Sequence, residues 1–231
     1  MIEPLEYFYN KHNIDISLIE SITCGEKYVS VLLKNGNIGV CATLLKETNV
    51  EISDLKKPNF KSIEHRIVIN AYYNALFNYN NQYNTEIDIF DELDFKKYGN
   101  IVMIGFFKSL VTKFKNENIP LYIFDKTESD NILTSMNKQI EHIKKADAII
   151  LTSTSVLNNS FLEIVNASQT NCDIYMLGPS TIMHKEMFNY KNIKILFGSV
   201  FNNNNNKVIE IINNGGGTGT FIKHMHKVFL K

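Results

Sequence analysis

Glycines and small hydroxyl residues recur directly after a set of short apolar runs: Gly105-Phe106-Phe107, Asp125-Lys126, Thr152-Ser153-Thr154-Ser155, Gly178-Pro179-Ser180-Thr181 and Gly198-Ser199. Glycine lets a ligand approach the backbone, and Ser or Thr can donate to a carboxylate, a phosphate or a bound water, or cap the helix that follows. Such groups recognise small anions through fixed dipoles and need no net basic charge. Two hydroxyl clusters after neighbouring runs, at Thr152 to Ser155 and at Gly178 to Thr181, point to one shared pocket, with Asn158-Asn159-Ser160 close behind the first. Gly178-Pro179-Ser180 serves equally well as a helix start, because proline suits the first helical position.

The elements that must position these residues follow from periodicity. Ile101 to Ile104, Leu121 to Phe124, Ala148 to Leu151, Asp173 to Leu177 and Ile193 to Phe197 are continuous apolar runs separated by segments long enough for crossover helices. That rhythm predicts a parallel sheet covered on both faces. In such a sheet ligands bind beyond the carboxyl ends of the strands, where the clusters above fall. The first third reads differently. Ile14, Leu18, Ile19 and Ile22 predict a short helix; Tyr28 to Leu33 and Ile38 to Leu44 predict a hairpin about Asn35-Gly36; and Ile63, Ile67, Ala71 and Ala75 predict a helix over Ser62 to Phe77. The expected division is a small α+β domain at 1–85 and a Rossmann-like domain at 86–231, with the boundary in the polar stretch from Asn78 to Asn100. On the first-third helix, Asn70, Asn74 and Asn78 form a stripe of amides that would line a crevice if the small domain packs over the strand ends.

Other motifs carry less. Gly105 and Asp125 stand about as far apart as the glycine loop and ribose-binding acid of a nicotinamide fold, but two of the three glycines are missing and Phe106 and Phe107 fill the loop. No turn ends in the Gly-Lys-Ser/Thr of a P-loop. Gly215-Gly216-Gly217-Thr218-Gly219 has the composition of a phosphate cradle, a role that requires a strand before it and a helix after it, or of a hinge beside the pocket. The end containing Phe221, Met225, Val228 and Phe229 is amphipathic at helical spacing, which would set His224 and His226 on divergent solvated faces, unable to share an ion unless the segment is extended. His184 near the Gly178 loop reads as structural. No nucleophile, base and orienting group assemble from spacing.

Composition narrows the class. The 231 residues are 44% hydrophobic, with only 4 Pro, and their 24 basic side chains cancel 24 acidic ones. A globular chain with no long-range field towards phosphate backbones or anionic lipid follows, so neither nucleic acid nor a membrane is an expected partner. No apolar run approaches the roughly 20 residues of a membrane span, and a cytoplasmic address is expected. A homo-oligomer is compatible with the sequence. Cys24, Cys41 and Cys172 are too scattered for a disulfide framework or a Cys-x-x-Cys metal site and read as buried thiols.

Taken in order, Gly25-Glu26-Lys27-Tyr28-Val29 with Ile38-Gly39-Val40, Ile69-Asn70-Ala71-Tyr72-Tyr73-Asn74, Val102-Met103-Ile104-Gly105-Phe106, Ile150 to Asn158, Leu177-Gly178-Pro179-Ser180-Thr181, Phe197-Gly198-Ser199-Val200 and the late glycine run resemble the heavy-metal chelation family, the domain of unknown function 364 family. The resemblance spans nearly the whole chain. It implies a small domain like the N-terminal domain of enolase, a Rossmann-like domain, and a site in the cleft between them. The chain departs from the family pattern at Lys108, where a proline is usual nearby, at Asp125, where a Glu is usual, and at Ser153 and Asn159, which replace glycines.

The leading expectation is a protein that binds a heavy metal or metal chelate, a small anionic ligand, in the interdomain cleft. The candidate ligand-binding residues are Asn70, Asn74, Gly105, Phe106, Asp125, Thr152, Ser153, Asn158, Gly178, Pro179, Ser180 and Gly216, joined on the resemblance by Glu26. The cofactor would be a metal ion or metal chelate. The alternative is an enzyme using a nucleotide-type cofactor such as S-adenosylmethionine, with Asp125 on its ribose.

Overall fold

The computed structural model describes residues 1–83, 88–126 and 130–231. The expected boundary between residues 85 and 86 lies outside the described residues. The chain begins with α1 (Pro4–His12), whose first-turn proline needs no N–H partner, and continues into β1 (Ile19–Cys24), β2 (Tyr28–Leu33) and β3 (Ile38–Ala42), an antiparallel sheet in the order β1-β2-β3. The hairpin turns at Gly36, whose φ of 89° is the left-handed conformation expected of an Asn-Gly turn. Of the helix expected over residues 14–22 only one 3-10 turn forms, Ile16–Leu18, and no α-helix. Asn13, at φ 52°, ends α1, and the Asp15 carboxylate accepts from the Ser17 N–H at 2.9 Å, which holds a short turn. Beyond that turn the chain pairs Ile19 with Leu33 and Cys24 with Val29. Ladder bonding with a partner strand overrides the local helical spacing.

After β3 comes α2 (Ile63–Phe77), as the four-residue spacing predicts. Every residue from Arg66 to Ala75 is buried. A helix buried all round has neighbours on every side: one flank lies on β2 and β3, the other on the strand ends of the larger sheet. Closeness on the first flank depends on Gly39, where any Cβ would overlap the Ala71 carbonyl oxygen and the Ala75 nitrogen.

The remainder runs α3 (Ile89–Glu92), β4 (Ile101–Ile104), α4 (Lys108–Asn116), β5 (Tyr122–Phe124), α5 (Gln139–Lys145), β6 (Ala148–Thr152), α6 (Phe161–Ala167), β7 (Asp173–Leu177), β8 (Ile193–Phe201), α7 (Asn206–Asn213), α8 (Thr218–Phe221) and β9 (Met225–Leu230). The six-stranded sheet has the order β5-β4-β6-β7-β8-β9; neighbours are parallel except β9, which is antiparallel to β8. Val102, Ile104, Ile149 and Leu151 meet Ile143 of α5 and Ile164 of α6 on one face, while Ile101, Met103, Ala148 and Ile150 meet Leu110 and Phe114 of α4 on the other. This is the expected α/β architecture, a mostly parallel Rossmann-like sheet with helices on both faces beside a smaller α+β unit. The core of the first face continues without interruption into Val29, Val31, Cys41 and α2.

The C-terminal end is a correction: residues 225–230 form a strand, not an amphipathic helix, because β8 extends to Phe201 and offers its free edge to them. His226 therefore lies in an extended segment, with its Nε2 3.1 Å from Asn202 Oδ1. Among the described residues no helix is long and apolar enough to cross a membrane. Cys41 and Cys172 are buried as expected, and burial pushes each thiol up to about 12; Cys24 is exposed, contrary to expectation. Alkylation of the native protein at pH 8 is expected to modify Cys24 alone, with Cys41 and Cys172 reacting only after denaturation, and peptide mapping distinguishes the three.

Candidate functional site

The strand order reverses between β4 and β6, and the general rule for open α/β sheets places a crevice there. Gly105, directly after β4, has φ 97°, and a Cβ on it would stand 2.7 Å from Thr152 Cβ at the tip of β6. The next residue, Phe106, donates its N–H to Asp125 Oδ2 at 2.8 Å, which fixes the loop after β4 to the end of β5. Thr152 Oγ1 lies 2.9 Å from Thr154 Oγ1 and caps the turn that follows β6. Asn158 Oδ1 accepts from the Ser160 N–H at 3.1 Å and its hydroxyl at 2.6 Å. Gly105, Phe106, Asp125, Thr152 and Asn158 together line a cleft of about 500 Å³, within the range of small-molecule sites. Leu44 and Lys46 close it from the small unit, and Lys126 stands at its rim.

Gly178 and Pro179 line a second, mostly apolar cavity of about 190 Å³ with Leu177, Phe197, Thr218 and Met225; Phe107 contributes to both cavities. Ser153 is buried between them, its Oγ 2.7 Å from where a Cβ on Gly178 would stand. The sequence suggested one pocket for both hydroxyl clusters; the structure separates them, because Phe107 and the Ser153–Gly178 contact fill the space between.

The amide stripe of α2 meets the Gly178 loop directly instead of across solvent. Asn70 Nδ2 donates to the Ser180 carbonyl at 2.8 Å; Asn74 Nδ2 donates to Val40 at 2.8 Å and to Pro179 at 3.5 Å; Asn78 Nδ2 donates to Thr181 at 3.1 Å and Ser199 at 3.2 Å. In return, Asn78 Oδ1 accepts from Met183 N–H at 2.8 Å, and Ser180 Oγ accepts from Ala42 N–H at 2.9 Å. These buried amides clamp the loop onto α2 and β3. The amide oxygens of Asn70 and Asn74 have no partner among the described residues, a desolvation cost of about 1–3 kcal/mol each that the clamp must offset.

Glu26 and Gly216 line neither cavity. The glycine run follows α7 and precedes the four-residue α8, so it joins two helices and lacks the preceding strand that a phosphate cradle needs. A Cβ on Gly215 would stand 3.2 Å from Glu26 Oε2, which places the run against the β1–β2 turn.

One cluster escaped the sequence reading. His12, at the end of α1, brings Nε2 within 3.1 Å of Glu186 Oε2, and His184 Nδ1 lies 3.7 Å from the same oxygen. Lys11 pairs with Glu186 Oε1. Burial alone would raise the Glu186 carboxyl, but the bonds from Lys11 and His12 and the neighbouring positive charge outweigh it and hold it below the usual range. Burial, opposed by the Glu186 carboxylate and aided by His12, Lys185 and Lys11, lowers the His184 imidazole. Residues 174 apart share no local pattern; only His184-x-Glu186 was available as a signal.

With this geometry in view, the relatives become informative. Residues 88–231 match the family model DUF364, described as "putative heavy-metal chelation". Two solved structures of DUF364 proteins of unknown function share the fold. One, from Pyrococcus horikoshii, is 20% identical with a TM-score of 0.79 over 93% of this chain and 95% of its own; the other, from Desulfitobacterium hafniense, is 19% identical with a TM-score of 0.76 over 98% and 96%. No curated protein matches the chain. The family model spans more than half of the chain and the architecture agrees along nearly all of it: the chain belongs to the DUF364 family.

Proposed function

We propose that the protein binds a small anionic ligand, of the metal-chelate class that the family description suggests, in the cleft between β4, β5 and β6. The observation that carries this reading is a cleft of about 500 Å³ at the reversal of strand order, closed by Leu44 and Lys46 from the small unit. Its donor set also fits. Among the described residues the lining contains hydroxyls from Thr152, Thr154 and Ser160, the Asn158 and Gln139 amides, the Asp125 carboxylate and two lysines, with the Met136 thioether as its one sulfur and no thiol or imidazole. A bare soft metal ion prefers sulfur or nitrogen ligands. The oxygen-rich periphery of a chelate, carrying net negative charge, suits Lys46, Lys126 and hydroxyl donors. No side chain caps the start of α4, so its first N–H groups add positive potential beside Phe107.

Titration calorimetry with ferric citrate, nickel citrate, AMP and S-adenosylmethionine tests the reading. A chelate is expected to bind, and Thr152→Val is expected to weaken it about three- to tenfold by removing one neutral hydrogen bond. Lys46→Ala should weaken it about tenfold and flatten its salt dependence. No heat from any chelate in folded protein, or unaltered affinity in both variants, overturns the proposal. A nucleotide-type cofactor is the second reading, favoured by Asp125 at the tip of the strand beside β4; binding of AMP or S-adenosylmethionine without the chelates would select it.

A further inference from the structure

We propose that His12, His184 and Glu186 form a binding site for a divalent first-row transition ion such as Zn²⁺, separate from the cleft, with Lys11 as the resident countercharge that the ion displaces. One donor atom from each residue falls within a set whose members all lie within 4.8 Å of one another. Tetrahedral Zn²⁺ with bonds of about 2.0–2.1 Å needs its ligand atoms about 3.3 Å apart. The His12–Glu186 and His184–Glu186 separations, 3.1 and 3.7 Å, bracket that value before any ion draws the groups together. Two imidazoles and one carboxylate suit a borderline ion and leave a fourth position for water or a ligand donor atom. None of the three residues lines the cleft.

The donors are held in place. The His184 ring packs on Phe77 at 4.5 Å and on Phe8 at 5.4 Å between centroids, and His12 packs on Phe77 at 5.0 Å. The Glu186 N–H lies 3.3 Å from His184 Nδ1 and occupies its single lone pair, so an ion ligated through Nδ1 displaces that bond. His12 comes from α1 and the other two from the segment after β7, so a bound ion would fasten the chain's first helix to the large sheet.

The competing account is an ion pair that merely staples α1. The two diverge at Lys11, which is half exposed and pairs with Glu186. As a like charge beside the ion, Lys11 opposes metal binding, so Lys11→Gln should tighten Zn²⁺ about five- to tenfold; a staple predicts only a lower Tm.

The test is calorimetric titration of the full chain with Zn²⁺, and optical titration with Co²⁺. One equivalent is expected, with d–d bands typical of nitrogen and oxygen ligation in the unmodified protein. His12→Gln and His184→Gln should each weaken Zn²⁺ at least a hundredfold. The double variant His224→Gln, His226→Gln should bind as the parent does, and Lys11→Gln should bind more tightly. Absence of a stoichiometric site, undiminished binding in folded His12→Gln or His184→Gln protein, a thiolate charge-transfer band placing the ion at Cys24, or unchanged affinity in Lys11→Gln overturns the proposal. If either histidine variant fails to fold, the Co²⁺ spectrum of the parent and the Lys11→Gln comparison decide.

Discussion

Arg66→Ala is expected to destabilise the protein by about 3–5 kcal/mol, because two buried carbonyls lose their donor at about 1–3 kcal/mol each and a cavity is left. Arg66 is 2% exposed, and its guanidinium donates through Nε to the Leu157 carbonyl at 2.8 Å, through Nη2 to Val156, and through Nη1 to Phe60 at 3.2 Å. Burial pulls its basicity down, and the carboxylates of Glu3 and Glu6 offset that only in part. Removing the side chain leaves a cavity and orphans the Val156 and Leu157 carbonyls, each a desolvated acceptor. Those carbonyls belong to the turn after β6 that carries Thr152, Thr154 and Asn158, so the same variant should also lose chelate affinity in the cleft. Urea unfolding followed by circular dichroism measures the stability; a loss below about 1 kcal/mol would show that the turn is held by something else.

The second large effect is expected at Gly39, where Ala should cost about 3 kcal/mol, the upper end for overpacking. Its Cβ would meet helix backbone at Ala71 and Ala75, and backbone cannot swing aside as a side-chain end can. Relief requires α2 to move away from β3. That motion would loosen the bonds from Asn74 to Val40 and from Ala42 to Ser180. For a chain of this size about 3 kcal/mol corresponds to a fall in Tm of roughly 6–12 °C, readable by calorimetry. Gly198→Ala is a useful contrast, since its Cβ meets mainly the flexible Met183 side chain and should cost less.

Both predictions concern α2, whose sequence shows plainly that it is a helix and hides what it does. Ile63, Ile67, Ala71 and Ala75 fall on one face, but Asn70, Asn74 and Asn78 read as a solvated or crevice-lining stripe, and Arg66 as nothing in particular, until the large sheet is packed against them. They are then the clamp on the segment from Val156 to Thr181. Similarly, Gly105, Phe106, Asp125, Thr152 and Asn158 could be named in advance as strand-end residues, because parallel strands are legible as continuous apolar runs and their ends follow. Leu44 and Lys46, which complete the cleft, follow no motif.

The type and position along the chain of nearly every large-sheet strand, the hairpin and α2 are written in nearest-neighbour chemistry: periodicity of apolar groups, the positive φ of an Asn-Gly turn, apolar runs for doubly covered strands. Those effects act within a few residues and leave a readable trace. Whether residues 225–230 become a helix or an edge strand, whether two hydroxyl clusters share one cavity, and whether His12 meets Glu186 are settled by contacts between segments far apart in the chain. Such contacts are selected by global packing, which imposes no spacing on the residues that make them.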